Sequence, residues 1–170
     1  YKLMKKFNFI FKGNIYFGTG SRRKINFILK ENSYKTACII IDHALISMPI
    51  FNDLKNELQC DTKIIECDIS EPTYVKLEEK RTEIKDNKFD VFIGIGGGSA
   101  LDMAKGLSVL YSNKGSAISY RGFDQFEEPI SPIIAIPTTS GTGSEITPNA
   151  SFIDTNEKRK MGINGEAIRP

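Results

Sequence analysis

The chain has 170 residues, of which 40% are hydrophobic and 26% are charged, proportions typical of one soluble globular domain with a core of its own. The formal net charge of +2 and the dispersed lysines argue against a nucleic-acid-binding surface. Three cysteines without Cys-x-x-Cys spacing favour reduced thiols in a cytoplasmic protein over a disulfide framework.

The N-terminal segment alternates short apolar runs with lysines and glycines. Lysines within residues 1–12 interrupt the apolar residues, so we expect neither a secretory signal nor a membrane span there. Residues 7–11 and 14–17 are predicted to form two short strands, arranged as a hairpin. Ser21 is then placed to cap a helix whose apolar face carries three side chains: Ile25, Ile28 and Leu29.

Strands and helices alternate through the next part of the chain. Residues 36–41 are a continuous apolar run, typical of a strand buried on both faces of a parallel sheet, and the run ends at Asp42. A helix is predicted at residues 49–58 and a weaker strand at 62–66. Pro72 suits the first turn of another helix. Its inner face would carry three apolar side chains: Tyr74, Leu77 and Ile84.

The next element is a strand, a glycine turn and a helix in direct succession. Residues 91–95 form the apolar strand, and residues 100–110 have the helical pattern. Three glycines lie between them: Gly96, Gly97 and Gly98. Ser99 stands where an N-cap belongs, and Asp102 three residues later resembles the partner in a capping box. Glycines and a helix N-terminus suit a phosphate, although a plain capped turn has the same local pattern.

This glycine turn differs from two common phosphate-binding motifs. No Gly-x-x-x-x-Gly-Lys-Ser/Thr is present, and Ser99 replaces the third glycine of Gly-x-Gly-x-x-Gly. The best acidic partner for a ribose, Asp42, precedes the glycines instead of following them by about 20 residues. A dinucleotide site in this chain would therefore use its parts in a different order.

The alternation of strands and helices predicts an α/β domain with a doubly wound, mostly parallel sheet. Ligands of such sheets bind outside the carboxyl ends of the strands, where Asp42 and the glycines would both lie. A carboxylate there can accept both hydroxyls of an adenosine ribose and repel a 2′-phosphate; capping of the following loop is the equal alternative. The only histidine, His43, lies in a predicted loop and is expected to be solvated. One histidine also cannot form a metal cluster.

The last third of the chain no longer shows the regular alternation of strands and helices. Residues 112–128 are predicted to be loop-like, and residues 133–136 to form a strand. Residues 138–148 then combine hydroxyl side chains with two glycines, which indicates either a plain linker or a tethered loop that binds a pyrophosphate or a nicotinamide amide. Residues 150–153 and 160–163 are predicted to form a closing hairpin.

Two motifs together point to a known family. The first is Gly96-Gly97-Gly98-Ser99-x-x-Asp102-x-Ala104-Lys105, and the second is Pro137-Thr138-Thr139-Ser140-Gly141-Thr142-Gly143-Ser144-Glu145. In this order and about forty residues apart, they resemble those of the iron-containing (group III) alcohol dehydrogenases. Shorter similarities, at residues 17–20, 72–73 and 147–148, extend the resemblance over almost the whole chain.

The resemblance implies a Rossmann-like, dehydroquinate synthase-like domain for residues 1–170 that binds NAD. It assigns Asp42 to the adenosine ribose, and Gly96, Gly97, Gly98 and Ser99 to the pyrophosphate. Five further side chains would surround the cofactor: Asp102, Thr138, Thr139, Thr142 and Ser144. Lys160 corresponds to a lysine near the nicotinamide ribose, although a surface lysine of the hairpin is the plainer interpretation.

The same resemblance implies that parts of the enzyme lie outside this chain. In the family, Fe²⁺ or Zn²⁺ is held by one Asp and three His in a C-terminal all-helical domain, and this sequence ends before that region. We therefore expect no metal ligand and no nameable catalytic residue here, but the N-terminal half of a dehydrogenase acting on a small alcohol or aldehyde. The same resemblance implies a homodimer formed through N-terminal edge strands.

Three alternatives stay open at this point. The first is a related glycerol or glycerol-1-phosphate dehydrogenase, and the second is a dehydroquinate synthase. The hydroxyl-rich motif favours the alcohol dehydrogenases over both. A stand-alone nucleotide-binding module without catalysis is the third, and it differs in predicting that no further domain is needed.

Overall fold

The computed structural model describes residues 12–68 and 71–170. The helices within this part of the chain are α1 (Lys24–Glu31), α2 (His43–Ile46), α3 (Pro49–Glu57), α4 (Tyr74–Ile84) and α5 (Gly98–Ser112). The strands are β1 (Thr36–Asp42), β2 (Asp61–Cys67), β3 (Val91–Gly96), β4 (Gly122–Phe123), β5 (Ile133–Pro137), β6 (Asn149–Asp154) and β7 (Arg159–Asn164). Short 3₁₀ turns lie at Ser21–Arg23, Ala117–Tyr120 and Glu166–Ile168.

The main sheet has four parallel strands in the order β2-β1-β3-β5, which confirms the predicted parallel α/β architecture. After β1 the chain adds β2 on one side and then returns to add β3 on the other. The strand order therefore reverses between β1 and β3. In open α/β sheets a crevice forms at such a reversal, outside the carboxyl ends of the two strands.

Two layers of side chains cover the two faces of this sheet. Alternate residues of β1 point to opposite sides, so that Ile39 and Ile41 pack with α1 and α3, while Cys38 and Ile40 pack with α4 and α5. Every residue of α5 from 100 to 110 is buried. The predicted inner face of α4 is confirmed as well, because Tyr74, Leu77 and Ile84 are all buried.

A second, three-stranded sheet in the order β4-β7-β6 covers α5 from outside. Strands β6 and β7 pair antiparallel from Asn149↔Asn164 to Asp154↔Arg159, which confirms the predicted hairpin. The hairpin is joined to the start of α4, where the amide of Ile153 donates to the carbonyl of Pro72 at 2.9 Å. No helix in residues 12–68 and 71–170 has the length and apolar character required to cross a membrane.

The predicted N-terminal hairpin is not supported where the structure describes it. Residues 14–17 form no strand, and the partner proposed at residues 7–11 lies outside the described residues. Ile15 and Phe17 are 64% and 98% exposed, so among the described residues these apolar side chains pack on no sheet. An apolar run without a neighbouring strand has no partner for its backbone hydrogen bonds.

Two predicted helix starts are also wrong. Ser21 lies inside a 3₁₀ turn that Gly20 enters with a φ of +80°, and its hydroxyl caps nothing; α1 begins three residues later. Pro72 precedes α4 instead of opening it. The Thr73 hydroxyl caps that helix by accepting from the amide of Lys76 at 3.1 Å, while pairing with β6 holds Pro72 in an extended segment.

We expect replacement of Gly106 by alanine to destabilise the fold, although alanine is the better helix former. Gly106 lies in the middle of α5, and a Cβ there would approach Phe152 Cζ to 2.6 Å and Leu77 Cδ2 to 2.9 Å. Overpacking of this kind typically costs 1–3 kcal/mol, whereas the gain in helix propensity is about 1 kcal/mol. Urea unfolding should show Gly106→Ala less stable by about 1 kcal/mol; increased stability would contradict this packing.

Candidate functional site

The crevice between β1 and β3 brings Asp42 against the first glycine of the turn. Gly96 ends β3 with a φ of +147°, a conformation that side chains rarely adopt. A Cβ at Gly96 would lie 2.8 Å from the Cβ of Asp42 and 2.9 Å from that of Ala100. The absence of a side chain at this position thus lets the ends of two strands and the start of α5 meet in one place.

The N-terminus of α5 lies directly above this junction. Gly97 is the N-cap residue, the helix begins at Gly98, and the amide of Leu101 donates to the Gly97 carbonyl at 3.2 Å. The prediction that Ser99 is the N-cap is therefore wrong, because the backbone is already helical there. First-turn amides have no carbonyl acceptor within their own helix, and the helix dipole adds partial positive charge. This turn is thus suited to bind an anion.

Residues 138–148, which we call the hydroxyl loop, fold over the glycine turn. The amide of Thr138 donates to the carbonyl of Gly96 at 3.0 Å. A Cβ on Gly97 would lie 3.2 Å from Thr139 Oγ1, and one on Gly98 would lie 3.4 Å from Ser144 Oγ and from Thr142 Cβ. These contacts exclude the alternative of a plain linker, and the hydroxyl groups of Thr139 and Ser144 face the N-terminus of α5.

Asp42 acts as a capping residue, which was the alternative to a role in ribose binding. Its Oδ1 accepts from the amide of Ala44 at 3.0 Å and so caps α2. Capping uses one carboxylate oxygen, so a second role toward a ligand remains compatible with this geometry. The neighbouring His43 is exposed and pairs with Glu66, whose side chain accepts a hydrogen bond from the imidazole and thereby raises the pKa of the histidine.

Two charged residues of α5 are buried beneath the hydroxyl loop. Asp102 is 8% exposed, and its Oδ2 accepts from the amide of Ser151 at 3.0 Å, in place of the predicted capping box. Burial raises the pKa of this carboxyl group, against the opposing effect of the Ser151 amide. Lys105 is fully buried, and burial lowers the pKa of its ammonium group to about 8.

A cleft of about 480 Å³ opens between the N-terminus of α5, the hydroxyl loop and the hairpin. Six of its lining residues are predicted site residues: Gly98, Ser99, Asp102, Thr142, Ser144 and Lys160. Lys160 lies at the exposed edge and pairs with Glu71 at 2.8 Å. The other predicted residues adjoin the cleft through the glycine turn, since Thr138 bonds to Gly96 and Thr139 faces Gly97.

The structure adds residues that the sequence interpretation gave no role. Thr147, Asn149 and Ser151 also line the cleft, and Lys105 lies behind them. One signal was available in the sequence: Lys105 interrupts an otherwise apolar helix three residues after Asp102. In residues 12–68 and 71–170, no group of three or more His, Cys, Asp or Glu side chains could hold a metal ion.

The parallel sheet places this chain in the class of α/β proteins, and its glycine turn lies at the point of strand reversal, where ligands of open α/β sheets bind. The chain itself belongs to the iron-containing alcohol dehydrogenase family, whose model matches residues 13–170.

The chain covers less than half the length of each of the following relatives. It is 31% identical over 156 residues to the NAD-dependent methanol dehydrogenase of Bacillus methanolicus, covering 90% of this chain and 41% of the relative. It is 45% identical over 96 residues to the sulfoacetaldehyde reductase of Bilophila wadsworthia, and this match covers 56% of this chain and 25% of the relative. The fold matches that of the sulfoacetaldehyde reductase of Bifidobacterium kashiwanohense, solved in complex with NAD+, with a TM-score of 0.87 at 22% identity; the match covers 98% of this chain and 45% of that structure.

Proposed function

We propose that this chain binds NAD in the cleft and forms the cofactor-binding domain of an alcohol dehydrogenase. The observation that carries the proposal is the convergence of the glycine turn, the hydroxyl loop and Asp42 at the point of strand reversal. The family membership of the chain and the NAD dependence stated for the methanol dehydrogenase relative support the choice of cofactor.

The proposed roles follow the shape of the site. Gly97 and Gly98 let the hydroxyl loop pack closely beside the N-terminus of α5. A pyrophosphate would bind at that N-terminus, where amides and the helix dipole favour negative charge. Asp42 would accept the hydroxyls of the adenosine ribose, and Lys160 would lie near the nicotinamide ribose. Hydroxyl groups of Thr138, Thr139, Thr142 and Ser144, together with Asp102, would line the remaining surface. NAD, when bound, would accept a hydride from an alcohol carbon, and its reduced form would donate a hydride in the reverse reaction.

The metal of the family does not fit the residues described here. None of their His, Cys, Asp and Glu side chains group in a way that could hold it. We therefore propose that metal binding, substrate selection and the catalytic groups belong to a separate helical domain of a two-domain enzyme. The chain spans about two fifths of the methanol dehydrogenase relative, which is consistent with this division. Dimer formation and a cytoplasmic location stay predictions.

We expect the purified 170-residue chain to bind NADH but to catalyse no alcohol oxidation. Titration followed by the fluorescence of NADH should saturate at one site per chain, while absorbance at the nicotinamide band should not change with alcohol, NAD and added Fe²⁺ or Zn²⁺. Turnover by the chain alone would contradict the division into domains. Failure to bind NADH would contradict the proposed cofactor site itself.

A second candidate concerns the substrate of the complete enzyme. The second candidate is a reductase of a small aldehyde, since the chain is 45% identical over 96 residues to a sulfoacetaldehyde reductase. The two candidates share the cofactor site and differ in the direction of hydride transfer. Steady-state rates of the complete enzyme with sulfoacetaldehyde and with small alcohols would distinguish them: a higher kcat/KM for the alcohols would reject the second candidate.

A further inference from the structure

The buried Lys105 has no role in the site as proposed so far. It lies on α5 one turn after Asp102, and its side chain is fully buried. Its Nζ donates to the carbonyl of Thr147 at 2.9 Å and to that of Asn149 at 2.8 Å. A lysine is rarely buried in this way unless its charge and its donors are both accommodated.

Residues 147–151, which we call the wall segment, are held to α5 at alternate positions. Lys105 binds the carbonyls of residues 147 and 149, and Asp102 binds the amide of Ser151. Three side chains of this segment line the cleft: Thr147, Asn149 and Ser151. Because Asp102 and Lys105 are three residues apart on a helix, they lie on the same face and act on the same stretch of backbone.

Building on the proposed function, we propose that Lys105 is a positioning residue for NAD: it holds the wall segment in the shape that accepts the cofactor, and its buried positive charge favours the anionic ligand. This role differs from the sites assigned above, since Lys105 is fully buried and acts through the backbone of Thr147 and Asn149. Asp102 completes the attachment from the preceding turn of the helix.

The charges around Lys105 make the two parts of this role separable. Asp102 faces it from the same helix, Glu145 from the hydroxyl loop and Arg169 from the end of the described chain. Burial outweighs the two carboxylates and lowers the pKa of Lys105 to about 8. A neutral amine still has two N–H donors for the two carbonyls, so deprotonation removes the charge while the wall segment can stay attached.

A rise in pH is expected to change the stability of the fold and the affinity for the cofactor in opposite directions. Since the pKa of Lys105 is lowered from 10.5 to about 8 in the folded chain, the unfolded chain holds more protons between these values. The contribution of Lys105 to the free energy of unfolding therefore rises as the pH increases between these two values. Affinity for an anionic cofactor should fall through the lower part of the same window, because the positive charge is lost.

The test compares two variants that each remove the side-chain hydrogen bonding of one buried residue of α5, two bonds at Lys105 and one at Ser108. Lys105→Met keeps the length of the side chain but removes both the charge and the donors. Ser108→Ala is the matched control, because Ser108 Oγ donates to the Ser131 carbonyl at 2.6 Å, away from the cleft. Equilibrium titration with NADH between pH 6.5 and 9.5 and thermal unfolding would be measured for both variants and for the wild type.

We expect Lys105→Met to bind NADH about tenfold more weakly at pH 7 and Ser108→Ala to bind as the wild type does. The wild-type affinity should fall about threefold between pH 7 and 9, and Lys105→Met should lack that component. The exposed His43 titrates in all three proteins, so only the difference between the profiles reports on Lys105. A wild-type affinity that stays constant across this range would overturn the charge role even if Lys105→Met did not fold.

The outcomes also separate this inference from the proposed function. If the wild type binds NADH and folded Lys105→Met binds equally well with the same pH profile, Lys105 is only a buried structural residue and the inference fails alone. If the wild type itself does not bind NADH at any pH, the proposed cofactor site fails first.

Discussion

Gly97→Val is expected to abolish NAD binding, with a loss in affinity of about 100-fold, while the domain stays folded. Gly97 has a φ of −79° and a ψ of −175°, an extended conformation that valine adopts readily. Its side chain would nevertheless project between the N-terminus of α5 and the hydroxyl loop, where a Cβ already lies 3.2 Å from Thr139 Oγ1. The space proposed for the pyrophosphate would then be occupied.

NADH titration and thermal unfolding of four variants would check this prediction. Gly97→Ala adds only the Cβ and should weaken binding much less than valine. Gly97→Val combined with Thr139→Ala relieves the contact with the hydroxyl loop. Thr139→Ala alone is the reference for the double variant, because Thr139 itself belongs to the proposed site. Equal affinity of these two proteins means that valine acts by displacing the loop; weaker binding by the double variant means that valine blocks the ligand directly. Unchanged binding in Gly97→Val would show that the glycine turn serves only the fold.

Asp42→Asn is expected to reduce the preference for NAD over NADP by about tenfold. In the wild type the carboxylate at the end of β1 should repel a 2′-phosphate and accept the hydroxyls of an unphosphorylated ribose. Asparagine keeps an oxygen that can accept from the amide of Ala44, so the cap of α2 survives and only the charge is lost.

Parallel titrations with NADH and NADPH would measure this preference. Asp42→Gly is the second variant, because it removes the charge and the side-chain cap together; it should relax the preference and destabilise the protein by only roughly a few tenths of a kcal/mol, since glycine is itself tolerated at an N-cap. Equal affinities of the wild type for the two cofactors would count against the proposed role of Asp42. An unchanged preference in Asp42→Asn would leave the carboxylate as a helix cap alone.

The success of the sequence interpretation depended on how local each signal was. Strands β1 and β3 are recognisable from continuous apolar runs that end at Asp42 and at glycine, and the structure confirms both. The start of α5 was misplaced because glycine has no side chain to signal a cap. Gly97 enters the helix in an extended conformation, which places Ser99 inside the first turn.

The polar interior of the site was not predictable in the same way. Asp102 has a partner 49 residues further along the chain, and the carbonyls bound by Lys105 are 42 and 44 residues away. A pattern read along one helix shows only that two charged residues share a face. Their burial is decided by the hairpin that covers α5, and nothing in the helix itself specifies that cover.

The burial of α5 from residue 100 to residue 110 has a consequence for the entropy of ligand binding. This part of the helix is packed between the main sheet and the covering hairpin, so the half-exposed N-terminal turn is the end of a buried helix. An anion that docks there meets donors whose directions are already fixed. Little conformational freedom is then lost on binding, and more of the interaction energy appears as affinity.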